Sequence, residues 1–180
     1  LIVWDAVTSD EIRHLVGHTG SITSLAVDSN TGALLSGSAD GKLILWDLLS
    51  GDILREFDEH SSTVTNVAIS VEKPLIVSGH SDGTVTVWDL NSAEIIQRID
   101  GNGFPVVGLI ISRDGDWILS TAGFDLRLID TQSGVDIRKH SWGGMPEPLA
   151  LSPDENTVYI GWAFFTQFDL KNWRELQVFL

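Results

Sequence analysis

A Trp-Asp dipeptide recurs along this chain at a constant spacing, and this repeat constrains the fold more than any other feature. It stands at Trp4-Asp5, Trp46-Asp47 and Trp88-Asp89, so successive copies are 42 residues apart. Weaker copies follow at Ile129-Asp130 and Phe168-Asp169, at spacings of 41 and 39 residues. A period of this length indicates stacked copies of one small structural unit that together bury a shared core.

Each dipeptide ends a short run of strand-forming residues. Examples are KLILWD at residues 42–47 and TVTVWD at residues 84–89. Runs of this kind, in which the side chains alternate along the chain and a turn follows, predict strands. Three further runs, separated by turn-forming residues, complete each period, and no stretch of useful length has helical periodicity. The chain is therefore predicted to be all-β, with four antiparallel strands per unit and no crossover helices.

Two stretches carry a longer motif. Gly17-His18, SGSAD at residues 36–40 and Trp46-Asp47 occur in this order, and His60, SGHSD at residues 78–82 and Trp88-Asp89 repeat them. These residues resemble the WD-repeat, or β-transducin repeat, family of β-propellers, whose blades are four-stranded sheets. The resemblance implies two hydrogen-bonded tetrads with a structural role. They comprise His18, Ser36, Asp40 and Trp46, and His60, Ser78, Asp82 and Trp88.

The later units depart from this motif. Asn102 stands at the His position of the third unit, and the turn in residues 120–125 is one residue short. In the fourth unit Trp142 stands at the His position, and residues 161–165 replace the Ser-Gly-Ser-x-Asp sequence. We expect both tetrads to be absent and packing to replace their polar bonds. The aromatic residues of the last unit then either fill the vacated space or form a patch for a partner.

Counting strands divides the chain into units. Residues 1–15 complete a preceding blade, and four blades follow at residues 16–57, 58–100, 101–140 and 141–180. An arc that does not close leaves strand edges and blade faces exposed. We therefore expect a segment of a larger WD-repeat β-propeller of about seven blades. The alternative is an unusual ring closed by few blades.

Composition argues against several classes of function. The net charge of −14, with Arg dispersed along the chain, disfavours direct binding to nucleic acid. Every apolar stretch is far shorter than the roughly 20 residues of a membrane helix, so no membrane insertion is expected. The absence of cysteine excludes disulfides and thiolate sites and favours a reducing compartment, the cytosol or the nucleus. Since the five histidines lack zinc-site spacing and no phosphate-loop motif occurs, we expect neither metal nor cofactor.

Ser78, His80 and Asp82 are the residue types of a nucleophilic triad. They lie within five residues of one strand and turn, where alternation points neighbours to opposite faces. Triads are normally gathered from distant segments. We therefore predict that the chain is not an enzyme.

By resemblance, partner-binding positions lie three and five residues after the His and one before the turn Asp. Here they are Ser21, Thr23, Ala39, Thr63, Thr65, Ser81, Pro105, Val107, Met145 and Glu147. This shallow, partly apolar and faintly acidic surface suits a protein or peptide with apolar anchors.

The predicted function is a non-catalytic protein–protein interaction scaffold within a multiprotein complex. The alternative is a WD-repeat module of a larger multidomain protein. Examples of such a protein are a vesicle-trafficking protein, a ubiquitin-ligase substrate receptor and a ribosome assembly factor.

Overall fold

The computed structural model describes residues 1–28, 31–58, 62–142, 149–161 and 165–179, without the side chain of Phe165. Within these residues there are eighteen strands and no helix. Strands β1 (Ile2–Trp4) and β2 (Glu11–His14) form a two-stranded sheet. Four sheets of four strands follow, and we call them blades 1 to 4.

The strands of each blade pair in chain order, and every pairing is antiparallel. Blade 1 consists of β3 (Ile22–Val27), β4 (Ala33–Ser38), β5 (Lys42–Asp47) and β6 (Ile53–Asp58). Blade 2 consists of β7 (Val64–Ile69), β8 (Leu75–His80), β9 (Val85–Asp89) and β10 (Ile95–Ile99). Blade 3 consists of β11 (Val106–Ile111), β12 (Trp117–Ala122), β13 (Asp125–Asp130) and β14 (Asp136–Ser141). Blade 4 consists of β15 (Leu149–Leu151), β16 (Thr157–Ile160), β17 (Phe165–Asp169) and β18 (Arg174–Phe179).

The predicted all-β fold with four-stranded antiparallel blades is confirmed by this architecture. β6 and β14 each run one residue past the predicted ends of their units, at Asp58 and Ser141. Each blade has two ends. We call the end with the turn between the second and third strands, at residues 39–41, 81–84 and 123–124, the upper end. The lower end carries the turns between the third and fourth strands, at residues 48–52, 90–94 and 131–135.

The Asp of each repeated dipeptide stabilises the turn that follows it. Asp47 Oδ1 accepts hydrogen bonds from the backbone N–H groups of Leu49 and Ser50, at 2.7 and 3.2 Å. Equivalent bonds to a backbone N–H lie within the turns after Asp5, Asp89, Asp130 and Asp169. This role is local, because the side chain bonds its own turn. It explains why Asp persists in units that have lost Trp.

The residue before that Asp lies in the core. Trp46 and Trp88 are buried, and Ile129 and Phe168 are buried at the same register in blades 3 and 4. An apolar side chain therefore satisfies the packing requirement at this position, whereas only Trp also supplies an indole N–H donor.

Close contact between blades depends on glycine in the second strand. A Cβ added at Gly37 would lie 2.6 Å from Val64 Cγ1 of the next blade, and one at Gly79 would lie 2.6 Å from Val106 Cγ1. A hydrogen bond from Thr23 Oγ1 to the Val64 carbonyl, at 2.7 Å, also joins the first strands of blades 1 and 2. The Ser-Gly step of the motif therefore lets the next blade approach.

The first strand of blade 1 is more exposed than the first strand of blade 2. Leu25 is 51% exposed, whereas Val67, which holds the same register in blade 2, is 6% exposed. Val27 is exposed as well. The sheets in the described part of the chain do not close into a ring, which fits the expectation of a propeller segment.

Candidate functional site

The tetrad residues of blade 1 lie in one hydrogen-bonded chain. His18 Nδ1 lies 3.0 Å from Asp40 Oδ2, and His18 Nε2 lies 2.8 Å from Ser36 Oγ. Trp46 Nε1 donates to the same Ser36 oxygen at 2.8 Å. Each of these four side chains comes from a different segment: the loop before β3, the strand β4, the turn after it and the strand β5. The network therefore links the upper end of the blade to its core.

Asp40 is the acceptor on which this end of the blade converges. Burial alone would raise the pKa of its carboxyl group. Hydrogen bonds from the backbone N–H groups of Thr19 and Lys42, from the His18 ring and from the Gly20 N–H outweigh that effect. The pKa of Asp40 is consequently held far below its usual range, so the carboxylate is ionised at neutral pH.

Blade 2 has a different arrangement around its serine. Trp88 Nε1 donates to Ser78 Oγ at 2.9 Å, as in blade 1. His80 Nε2 lies 3.0 Å from the same oxygen, and Asp82 accepts hydrogen bonds from the N–H and hydroxyl of Thr84. His60 lies outside the described residues. The sequence analysis considered His80 only as a triad residue and argued from alternation that these side chains face apart. That argument was wrong for Ser78 and His80, because residues two apart on a strand share one face.

The geometry around Ser78 differs from that of an accessible nucleophile. The side chains of Ser78 and His80 are completely buried, and the serine oxygen already accepts the Trp88 indole N–H. Both residues therefore serve packing and hydrogen bonding inside the blade. In the described part of the chain, no three His, Asp or Glu side chains are grouped closely enough to hold a metal ion. The same part contains no helix with the length and apolar character needed to cross a bilayer.

In blade 3 the residue at the His position, Asn102, also bonds to a carboxylate, but neither residue is the one found in blade 1. Asn102 Nδ2 donates to the carbonyl of Ala122 at 2.9 Å and to Asp125 Oδ2 at 3.1 Å. Asp125 also accepts from the Ser141 hydroxyl and pairs with Lys139. The shortened turn thus places the carboxylate at the start of β13. Sequence comparison with blades 1 and 2 missed this pair, because the acidic residue is not at the register of Asp40.

Blade 4 replaces the polar network with aromatic packing. Phe168 is buried and makes edge contacts with the rings of Trp142 and Trp173, at centroid distances of 5.8 and 5.1 Å. The ring of His140 makes another edge contact with Phe168 at a centroid distance of 5.3 Å, and Trp142 Nε1 donates to Glu175. These described aromatic residues therefore fill the interior, one of the two roles that the sequence allowed.

Most predicted partner-binding residues lie at the upper end. Backbone hydrogen bonds hold Ser21 next to Ala39 and Thr63 next to Ser81. The predicted positions Met145 and Glu147 lie outside the described residues. The hydroxyls of Thr23 and Thr65 donate to the carbonyls of Gly37 and Gly79, at 3.0 Å in both cases, so they also stabilise the sheet. The first two blades therefore present a small, neutral surface to a partner.

The upper end of blade 3 is larger and more apolar. Pro105 and Val107, two of the predicted partner-binding residues, are exposed there. Phe104 and Phe124 lie beside them, 40% and 42% exposed, with their rings in edge contact at 5.9 Å. The ring of Phe104 also packs against Gly123, a turn residue with φ of +62°. Sequence reasoning missed Phe124, although taking Asp125 as the turn Asp would have placed it one residue before, like Ala39 and Ser81.

Comparison with known protein families identifies the repeats in the first half of the chain. The WD domain, G-beta repeat, family model matches residues 9–47 and 51–89. Residues 9–47 and 51–89 are therefore two WD repeats. Both WD-repeat matches end at a Trp-Asp dipeptide, and the first contains the whole His18 network. No curated protein matches the chain at a significant level. WD-repeat domains are generally non-catalytic modules that bind other proteins.

Proposed function

We propose that this WD-repeat chain is a non-catalytic scaffold that binds a protein partner at the upper end of its blades. One observation carries the proposal. Phe104, Pro105, Val107 and Phe124 form an exposed apolar patch, which we call the blade 3 patch, at an end where blades 1 and 2 present small neutral residues. Exposed aromatic residues supported by neighbouring groups are typical of interaction sites.

The geometry of the blade 3 patch favours recognition. The ring of Phe104 packs against Gly123 on one side and Phe124 on another. Binding would therefore cost little additional side-chain entropy. The nearby carboxylate of Asp125 is occupied by Asn102, Ser141 and Lys139. An apolar side chain of the partner would therefore contact the rings of Phe104 and Phe124, and its binding would not bury an unpaired charge.

The net charge of the chain indicates which residues flank the apolar side chain, or anchor, of the partner. The net charge of −14 favours a partner with basic residues flanking the anchor and disfavours nucleic acid. The same surface would serve a subunit of a multiprotein complex or a module of a larger multidomain protein. We place this function in the cytosol or nucleus, because the chain has no cysteine.

Affinity purification with quantitative mass spectrometry tests the proposal. The full chain is compared with variants carrying Phe124→Asp and Val107→Asp, each introducing a charge into the blade 3 patch. The matched control is Ile137→Asp, which places the same charge on an exposed position of the outer strand β14. We expect at least one protein to be recovered with wild type and the control but lost with both patch variants. Equal recovery of all proteins by all four chains contradicts the proposal.

A further inference from the structure

The loop that enters blade 3 contains an Asn-Gly dipeptide, Asn102-Gly103. The other asparagines, at positions 30, 66, 91, 156 and 172, precede Thr, Val, Ser, Thr and Trp. An asparagine side chain can react with the backbone nitrogen of the next residue to form a five-membered succinimide ring. Glycine hinders this attack least, because it has no Cβ. The dipeptide is therefore a candidate site of covalent modification.

The structure leaves the attacking nitrogen accessible. Asn102 and Gly103 are both exposed. The Gly103 N–H donates no hydrogen bond to any residue that the structure describes, and a Cβ added at Gly103 would meet no atom within 4 Å. Gly103 also has φ of +81°, a conformation that other residues rarely adopt. The Gly103 nitrogen and water can therefore both approach the Asn102 side chain.

Three hydrogen bonds hold the side-chain amide of Asn102. Its Oδ1 accepts from the Phe104 N–H at 3.2 Å, and its Nδ2 donates to the Ala122 carbonyl at 2.9 Å and to Asp125 Oδ2 at 3.1 Å. The bond to Oδ1 favours attack at Cγ, because it stabilises the negative charge that develops on this oxygen. The two bonds of Nδ2 oppose the departure of ammonia, so they should slow the reaction relative to a free peptide.

The reaction needs only solvent water as a co-reactant. The Gly103 nitrogen loses its proton to water and bonds to Asn102 Cγ, and the Cγ–Nδ2 bond breaks. Nδ2 takes up a proton and leaves as ammonia. Water then opens the succinimide at either carbonyl. One opening gives Asp at position 102, and the other gives isoaspartate, in which the main chain continues through Cγ.

Either product disrupts the upper end of blade 3. The new carboxylate cannot donate to the Ala122 carbonyl, and it places a negatively charged oxygen next to Asp125, which repels it. Isoaspartate also lengthens the main chain by one bond. Gly101 cannot absorb that change, because it is packed against blade 2, where an added Cβ would lie 2.2 Å from the Gly83 carbonyl carbon. Phe104 must therefore move from its place in the blade 3 patch.

We propose that Asn102 deamidates spontaneously in the folded chain and that this modification inactivates the blade 3 patch. The chemical step depends on Asn102 and Gly103 alone. The effect on binding rests on the proposed function, since it requires a partner that contacts Phe104 and its neighbours. The binding surface would then have a finite lifetime, which one side chain sets.

Mass spectrometry of the full chain during incubation at physiological temperature and pH tests the chemical step. We expect the digestion peptide that contains Asn102 to gain about one dalton and to separate into two products of equal mass, with Asp and isoaspartate. The rate should be at least about tenfold higher than at Asn91, and within about tenfold of the rate in a synthetic peptide of residues 98–107. Asn102→Gln is the control and should keep its mass, because glutamine would have to close a less favourable six-membered ring.

Two results would overturn the chemical step. One is an Asn102 side chain that stays intact in the folded chain while the synthetic peptide deamidates. The other is an equal rate of mass change at Asn102 and Asn91.

Asn102→Asp tests the consequence directly, because it creates the first of the two products. We expect a melting temperature lower by at least about 3 °C. In the affinity purification, this variant should lose the proteins that Phe124→Asp loses. Asn91→Asp is the matched control and should change neither result, because it adds the same charge at an exposed position of a lower turn.

The two proposals fail separately. An Asn102→Asp variant that melts and binds as wild type does would overturn the regulatory role of the modification. If Phe124→Asp loses no protein, the proposed function fails and the link to binding fails with it. The mass change at Asn102 would then still establish the modification site.

Discussion

Gly108 faces Thr121 across the first two strands of blade 3, at the register where Ser24 faces Gly37 and Asn66 faces Gly79. The glycine has thus moved from the second strand to the first. A Cβ added at Gly108 would lie 2.7 Å from Thr121 Oγ1 and 2.7 Å from Leu149 Cγ of blade 4. The exchange keeps space for the next blade although the Ser-Gly step is lost.

This exchange predicts coupled effects on stability. Gly108→Ala should lower the free energy of unfolding by about 1–3 kcal/mol, because the added methyl group overpacks the contact. Combining it with Thr121→Gly should cost less than the sum of the two single substitutions. Urea unfolding of the four chains measures this coupling. Strictly additive costs would show that the two residues do not share the space.

The serine of blade 1 makes a second prediction. Ser36→Ala removes the oxygen that accepts the Trp46 indole N–H and contacts the His18 ring. We expect a loss of about 1–3 kcal/mol, since two buried polar groups lose their partner. Ser21→Ala, at an exposed position of the loop before β3, is the control and should have little effect. Equal unfolding midpoints for the two variants would refute the importance of the network.

Acid stability should depend on Asp40. Its pKa in the folded chain lies below its value in the unfolded chain, so its stabilising contribution is complete above about pH 4. That contribution is lost as the pH falls below 4 toward the folded pKa. Asp40→Asn should therefore destabilise the chain at pH 7 and reduce the additional loss between pH 4 and 2. Parallel pH profiles for wild type and variant would contradict this assignment.

The aromatic interior of blade 4 predicts a large effect from one side chain. Phe168→Ala should cost about 3–5 kcal/mol, because a buried ring in contact with His140, Trp142 and Trp173 is replaced by a cavity. Near-ultraviolet circular dichroism should also lose intensity from the two tryptophans. Phe124→Ala removes an exposed ring and should leave stability nearly unchanged. Equal losses of unfolding free energy for Phe168→Ala and Phe124→Ala would show that Phe168 does not stabilise the interior of blade 4.

The repeat was sufficient to predict strands, blade order and the resemblance to WD repeats. Its signals are local: alternation along a strand, turn-forming residues and an anchor at a fixed period. The Asp of each dipeptide is found in all five units because it bonds its own turn.

The features that the repeat could not predict depend on contacts between segments. The one-residue deletion in blade 3 moves Asp125 to a new register and exposes Phe124 at the upper end. The side chains of Arg13, Gln97 and Arg138 each donate a hydrogen bond to a carbonyl in a turn of the next unit, and only the structure shows these contacts.

Photo-crosslinking at position 124 tests the central claim, a protein-binding surface at the upper end, most directly. p-Benzoylphenylalanine replaces Phe124 in one chain and Val135, an exposed residue at the lower end of blade 3, in another. Both chains are irradiated in cells and their crosslinked products identified by mass spectrometry. The account predicts a discrete crosslinked protein from position 124 that is absent from position 135. The same products from both positions, or none from position 124, would contradict it.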